Sequence, residues 1–277
     1  METARAKISS LFLLIALVAG MAGGDEPASN TVSPHESFTV ESKVLGETRR
    51  VNVYQPPGYD AKAARRYPVL YLLDGGVEGE DWLSVAATVD AAIRAGEMRP
   101  MIMIGIANTE RRRDLTGPTT VEEDKKIAPR VGGSAAFRGF LRDELMPEVS
   151  RRYPVTDETA IVGESLAGLF IVETFFLAPA MFDTYLAFDP SLWWNNEELA
   201  RQAGERLKAR NSLPAALYLS SAGEESIAAP TGRLAEALRA HAPKDLRWKY
   251  THRPDLRHDN IYRTELPGAL RAWLAPR

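Results

Sequence analysis

From Phe38 the chain alternates apolar and polar residues, first in FTVESKV and then, after a polar turn, in RRVNVYQP. Period two marks strands with one covered face, so these two segments are expected to form an antiparallel hairpin at a sheet edge. The pattern then changes. YPVLYLLD (Tyr67 to Asp74) and PMIMIGIAN (Pro100 to Asn108) are almost unbroken apolar runs, which predict strands covered on both faces in a parallel sheet. The covers must be helices, and helical spacing is found over Glu80 to Arg94, Ala135 to Arg152, Leu166 to Phe176, Glu197 to Arg210, Gly232 to Ala240 and Ile261 to Leu274. Strands are expected between them near Ala160 to Val162, Tyr185 to Phe188, Ala215 to Ser220 and Arg247 to Thr251. Such alternation predicts an open, mostly parallel, doubly wound α/β sheet. No repeat, linker or shift in composition follows residue 37, so 38–277 reads as one domain. The longest irregular stretch, Asn108 to Ser134, leaves the C-terminal end of a parallel strand, where α/β folds bind ligands.

The first residues have a different character. METARAK carries Arg5 and Lys7, ISSLFLLIALVAGMAGG is apolar, and small residues precede an acidic DEP. This order predicts a cleavable secretion signal over 1–24, cut after Ala22 or Gly24, then a polar spacer over 25–37 and a periplasmic or secreted location. Its apolar core, Leu11 to Val18, is shorter than a spanning helix needs, so no stable membrane anchor is expected. The 277 residues are 45% hydrophobic and 26% charged, enough for a sizeable core. A net charge of -3 argues against a nucleic-acid partner. The absence of cysteine removes thiolate nucleophiles and cysteine-based metal sites.

Candidate chemistry centres on TAIVGESLAGLFIVETFF, Thr159 to Phe176, where one apolar run stops at a glycine, a serine follows, and a second run starts at once. A strand joined to a helix by so short a turn is the nucleophile elbow of an α/β hydrolase, which exposes the serine hydroxyl above the sheet. Gly163 and Ala167 supply the small residues on either side of Ser165, although Ala167 stands where the common motif has glycine. Serine needs a base, and hydrolases of this kind order their residues serine, acid, histidine. His258, in the polar loop RPDLRHDNIY before the final helix, fits the base better than His252 at a strand end or His241 at a helix end. His35 lies too early. The acid is expected in AGEES after the strand AALYLSS, where Glu224 and Glu225 both qualify and Glu225 is favoured. Two backbone amides should hold the oxyanion: Leu166 at the elbow and Gly76 in the DGG that follows VLYLLD.

Several segments together resemble a family. GETRRVNVYQPPGY, YPVLYLLDGG, RRRDLTGP, FRGFLRDELMPEVSRRYPV, GESLAGLF and DPSLWW stand in the order and spacing of the esterase D-like putative esterases, in the branch similar to periplasmic, enterobactin-type siderophore esterases. The resemblance runs from about residue 38 to the C-terminus. It implies an α/β-hydrolase fold without a large lid and a serine esterase activity, with Ser165, His258 and an acid in GEES. It also puts SLWW, Ser191 to Trp194, beside the pocket. DPS, Asp189 to Ser191, departs from the branch's serine-first SPS, and Ala222 from a common glycine. Adjacent tryptophans plug a core as often as they bind ligands, but Trp193 and Trp194 suit aromatic or sugar acyl groups. Of Arg111 to Arg113, Arg112 and Arg113 are the candidate contacts to an anionic substrate such as a ferric tricatecholate.

These readings converge on a serine hydrolase that cleaves a small-molecule carboxylic ester through an acyl-enzyme, with no metal or organic cofactor. Two rivals stand beside it: an acyltransferase on the same scaffold, and a binding protein that has lost turnover.

Overall fold

A computed structural model describes residues 35–276, so the expected signal and most of the spacer lie outside the described residues. The hairpin is formed by β1 (Glu36–Ser42) and β2 (Glu47–Tyr54), paired antiparallel with Ser42 opposite Glu47. After β3 (Tyr67–Leu72) come α1 (Trp82–Arg94) and β4 (Ile102–Ile106). The long irregular stretch contains two single-turn helices, α2 (Arg111–Asp114) and α3 (Glu122–Lys125). The helix expected over 135–152 is interrupted: α4 (Ser134–Phe140) passes through a π-helical segment, Leu141–Leu145, into α5 (Met146–Arg152). The wider turn keeps Leu141 and Leu145 in the core. Strict alternation follows, with β5 (Val155–Glu164), α6 (Leu166–Leu177), β6 (Thr184–Phe188), α7 (Trp194–Lys208), β7 (Ala216–Ser221), α8 (Glu225–His241), β8 (Arg247–His252) and α9 (Ile261–Trp273).

The described strands form one sheet in the order β1-β2-β4-β3-β5-β6-β7-β8. β2 also pairs antiparallel with β4, and every later pairing is parallel. The unbroken apolar strands serve two cores at once, because successive side chains point to opposite faces. Tyr71, Ile104, Ile161, Tyr185 and Leu217 pack with α4 to α8 on one face. Leu72, Met103, Val162, Leu186 and Tyr218 pack with α1 and α9 on the other. α6 is buried on all sides at Leu166 to Phe176, which explains why its sequence shows no polar face.

Two boundaries differ from the sequence reading in ways that matter for the site. α8 starts at Glu225 rather than Gly232 and carries Pro230 inside it, so AGEES runs straight into a helix. The start of α7 is left-handed: Asn195, Asn196 and Glu197 have φ of 50°, 51° and 61°. Non-glycine residues avoid that region. The turn is held by Asp124 Oδ2, which accepts the Asn195 N–H at 2.8 Å, and by Asn195 Oδ1, which accepts the Thr120 N–H at 3.0 Å. Thus the long loop and the residues after β6 are tied together. Among the described residues, no helix is long and apolar enough to cross a membrane.

Candidate active site

Ser165 sits between β5 and α6 with φ 61° and ψ -119°, the strained turn expected of an elbow. Sterics impose Gly163, because a Cβ there would lie 2.6 Å from the Ala167 methyl. The Ala167 departure is accommodated only because Gly163 gives way to it. Backbone bonds fix the turn to the end of β6: the Ser165 N–H donates to Phe188 O and the Ser191 N–H to Ser165 O, both at 3.0 Å. The Ser165 Oγ lies 3.3 Å from the Ser191 Oγ.

The same bonds place the next residue, Asp189, beside the elbow. Asp189 is completely buried, with φ 43°, and both its oxygens are engaged. Oδ1 accepts the Ala222 N–H at 2.7 Å, and Oδ2 lies 2.5 Å from the His258 Nδ1. The carboxylate facing the imidazole therefore follows β6, not β7, and the expectation of Glu225 is corrected. Glu225 is exposed in the first turn of α8, whereas Glu224 Oε1 accepts the His258 main-chain N–H at 3.1 Å and so holds the loop rather than the ring. The Asp189 bond raises the His258 pKa above the ordinary imidazole value against the opposing effect of burial. That backbone bond from His258 lowers the Glu224 pKa.

Glu164, immediately before the serine, is a further ionisable group at the site. Burial pushes its carboxyl up to about 8, with the nearby His258 charge pulling the other way and Asp81, Asp189 and Asp74 adding to the rise. Its Oε1 is buried without a hydrogen-bond partner among the described residues. A neutral carboxyl therefore flanks the nucleophile at moderate pH.

The expected oxyanion donors differ in their state. Leu166 heads α6, so its N–H is one of the first-turn donors that a helix leaves without an intrahelical acceptor, with the helix dipole behind it. The Gly76 N–H donates to Glu80 Oε2 at 2.8 Å, and a Cβ on Gly76 would stand 2.5 Å from Glu80 Oε1. Glu80 also accepts the Asn108 N–H at 3.2 Å. A carboxylate of the chain itself thus holds the second amide.

Local and distant carboxylates claim most of the arginine run. Arg111 forms a two-pronged pair with Asp74 at 2.7 and 2.8 Å. Arg113 bonds Asp114 at 2.6 Å and Glu47 at 2.8 Å, and it holds the Glu47 carboxyl down to about 2. Asp114 in turn accepts from Arg49, which is fully buried with Phe137 and Phe140 at 5.2 and 5.7 Å. Arg113 therefore anchors the loop and is not free to meet a substrate. The Arg112 side chain bonds only the Ile127 carbonyl among the described residues. With Glu110, Arg111, Arg113, Ala128, Pro129 and Arg130 it lines a cavity of about 550 Å³. The two tryptophans also part ways: Trp194 is buried and donates Nε1–H to Gly117 O at 2.9 Å, whereas Trp193 is half-buried. Trp194 is a core plug, and only Trp193 presents a ring.

Sequence reasoning missed Asp189, Ser191, Glu164 and Glu80. The signal for Asp189 was the DPS departure itself, since an aspartate capping an all-apolar strand must be buried and so requires a cationic or donor partner.

The chain has relatives among known proteins. The chain is 31% identical over 180 residues to the ferri-bacillibactin esterase BesA of Bacillus subtilis, covering 57% of this chain and 60% of that protein. It is 30% identical over 190 residues to the siderophore triacetylfusarinine C esterase of Aspergillus fumigatus, covering 62% and 61%. It thus spans about three fifths of the length of these curated relatives. An IroE-like serine hydrolase from Shewanella oneidensis superposes with a TM-score of 0.79 at 25% identity, covering 87% of this chain and 80% of that one. Residues 42–255 match the model of the putative esterase family, and the chain belongs to that family.

Proposed function

We propose that the protein is a serine esterase acting through an acyl-enzyme. The observation that carries this reading is the His258 Nδ1 to Asp189 Oδ2 bond, formed one residue after the strand end that fixes the Ser165 elbow. Asp189 holds the proton on Nδ1, which leaves Nε2 as the base for the Ser165 hydroxyl. Ser165 attacks the ester carbonyl, His258 takes its proton and passes it to the leaving alcohol, and Asp189 stabilises the imidazolium in between. The Leu166 N–H donates to the oxyanion. Gly76 joins it once its N–H exchanges the Glu80 carboxylate for the substrate oxygen.

The substrate we propose is a siderophore-type ester, in keeping with the siderophore esterases among the relatives. Arg112, in the lining of the loop cavity, and the half-buried Trp193 are the side chains suited to an anionic, aromatic group. Export is part of the same proposal, supported by the charged, apolar, then small-residue order of the first residues.

The test has two arms. Wild-type protein is expected to label with a fluorophosphonate, and Ser165→Ala to lose both label and turnover. Rates on ferric enterobactin, a feruloyl ester and p-nitrophenyl acetate are then compared, and the trilactone is expected to lead in kcat/KM. A wild type that neither labels nor hydrolyses any of them refutes the proposal.

A further inference from the structure

Ser191 has no role in the steps above, yet its hydroxyl is the group that meets the nucleophile. It is 2% exposed, its Oγ lies 3.3 Å from the Ser165 Oγ, and its main-chain N–H is bonded to Ser165 O at 3.0 Å. A buried hydroxyl needs a hydrogen-bond partner, and the nucleophile is the partner this one has among the described residues. The direction of the bond follows from the chemistry. Ser165 must give its own proton to His258, so in the reactive arrangement Ser191 is the donor and Ser165 Oγ the acceptor.

Resting on the esterase reading, we infer that Ser191 is a further catalytic residue, whose O–H stabilises the Ser165 oxygen as it leaves during deacylation. In that step water has added to the acyl carbonyl and left its proton on His258. The carbon–Oγ bond then breaks, its electron pair passes to Ser165 Oγ, the oxyanion pair re-forms the carbonyl, and the His258 proton moves to Oγ. The free acid departs.

The donor matters more here than in acylation, for a reason set by the acceptor. Before acylation Oγ is a hydroxyl oxygen that already accepts from Ser191, so the bond strengthens only modestly at the transition state. In the acyl-enzyme Oγ is an ester oxygen, a poor acceptor, and it becomes alkoxide-like as the bond breaks. A group that binds the transition state better than the ground state accelerates that step.

The experiment is stopped-flow hydrolysis of p-nitrophenyl acetate by the full chain, comparing wild type with Ser191→Ala. The burst rate reports acylation, the later linear rate reports deacylation, and the burst amplitude counts working sites, so unfolded protein drops out. Ser191→Ala is expected to slow deacylation about ten- to a hundredfold, the range of a hydrogen bond to a charged group, while the burst rate changes little. kcat and KM then fall together. Equal losses in both rates, as a packing defect would give, overturn the inference, as does no change in either. If the alanine variant shows no working sites, Ser191→Cys, a weaker donor of similar shape, is held to the same two rates. A wild type with no burst, no turnover and no fluorophosphonate label is a different result, and it removes the esterase reading underneath.

Discussion

Replacing Asp189 by asparagine asks the most of the proposed site. Asparagine keeps an oxygen for the Ala222 N–H, which Asp189 Oδ1 accepts at 2.7 Å, and so turns its NH2 toward the His258 Nδ1. Two donors cannot face one another, so the ring shifts its proton to Nε2 and can no longer accept one from Ser165. In the serine protease template, the same aspartate-to-asparagine change lowers kcat by about 10⁴ with the geometry intact. That factor corresponds to about 5 kcal/mol of barrier. The assay is kcat/KM on p-nitrophenyl acetate from pH 5 to 9. In wild type the active form is neutral imidazole, and Asp189 raises its pKa, so activity should climb through a limb above the ordinary imidazole value. The stability linkage runs the other way. The raised folded pKa contributes stability that is complete below about 6.5 and is lost as pH rises through the folded value. Asp189→Asn should lower activity, shift its acid limb to lower pH and flatten the stability slope together. Activity within about tenfold of wild type, well below the roughly hundredfold low end for an acid–base role, would refute Asp189 as the orienting acid.

The other expectations are narrower. Glu225→Gln should leave kcat/KM unchanged, since that side chain is exposed in the first turn of α8; a loss as large as that in Asp189→Asn would return the acid to GEES. Glu164→Gln should remove a stability loss of a few kcal/mol between about pH 4.5 and 8, because a carboxyl raised to about 8 holds its proton in the folded chain but not in the unfolded one. Urea denaturation at several pH values reads that slope, and identical slopes in variant and wild type would refute it. Asp114→Ala should destabilise by about 2 kcal/mol, since it removes one charge-assisted hydrogen bond from the fully buried Arg49, which keeps Glu47 at 3.0 Å and Thr109 at 2.8 Å. A change below about 1 kcal/mol, the scale of a surface pair, would show that Arg49 is satisfied without it.

What the sequence made legible follows the range of the interactions concerned. Strands, the longer helices and the Ser165 elbow are written in short-range patterns, and they match in order, with the break at Leu141–Leu145 and the start of α8 as the main differences in place. His258 was found because only one histidine lies in a loop between the last strand and the last helix. Asp189 was missed because serine, acid, histidine is satisfied by a carboxylate after either β6 or β7, and chain order cannot say which strand end lies nearer the ring. The arginine run misled for a related reason: Glu47 closes on Arg113 across 66 positions of chain, a contact that no local pattern contains. α8 begins at Glu225, ahead of the Gly232 that the apolar spacing suggests, with Pro230 inside it, because burial of Ile227, Pro230 and Thr231 outweighs the missing hydrogen bond.

The left-handed turn at Asn195 to Glu197 offers a means of adjusting the protein away from the proposed site. Asn196 is exposed and makes no side-chain hydrogen bond among the described residues, so glycine there would relieve conformational tension without breaking the clasp to Asp124 and Thr120. Valine or isoleucine there would heighten it. One surface position thereby becomes a dial on how firmly the loop around Thr120 and Asp124 is clasped to the start of α7, while Ser165, Asp189 and His258 stay as they are.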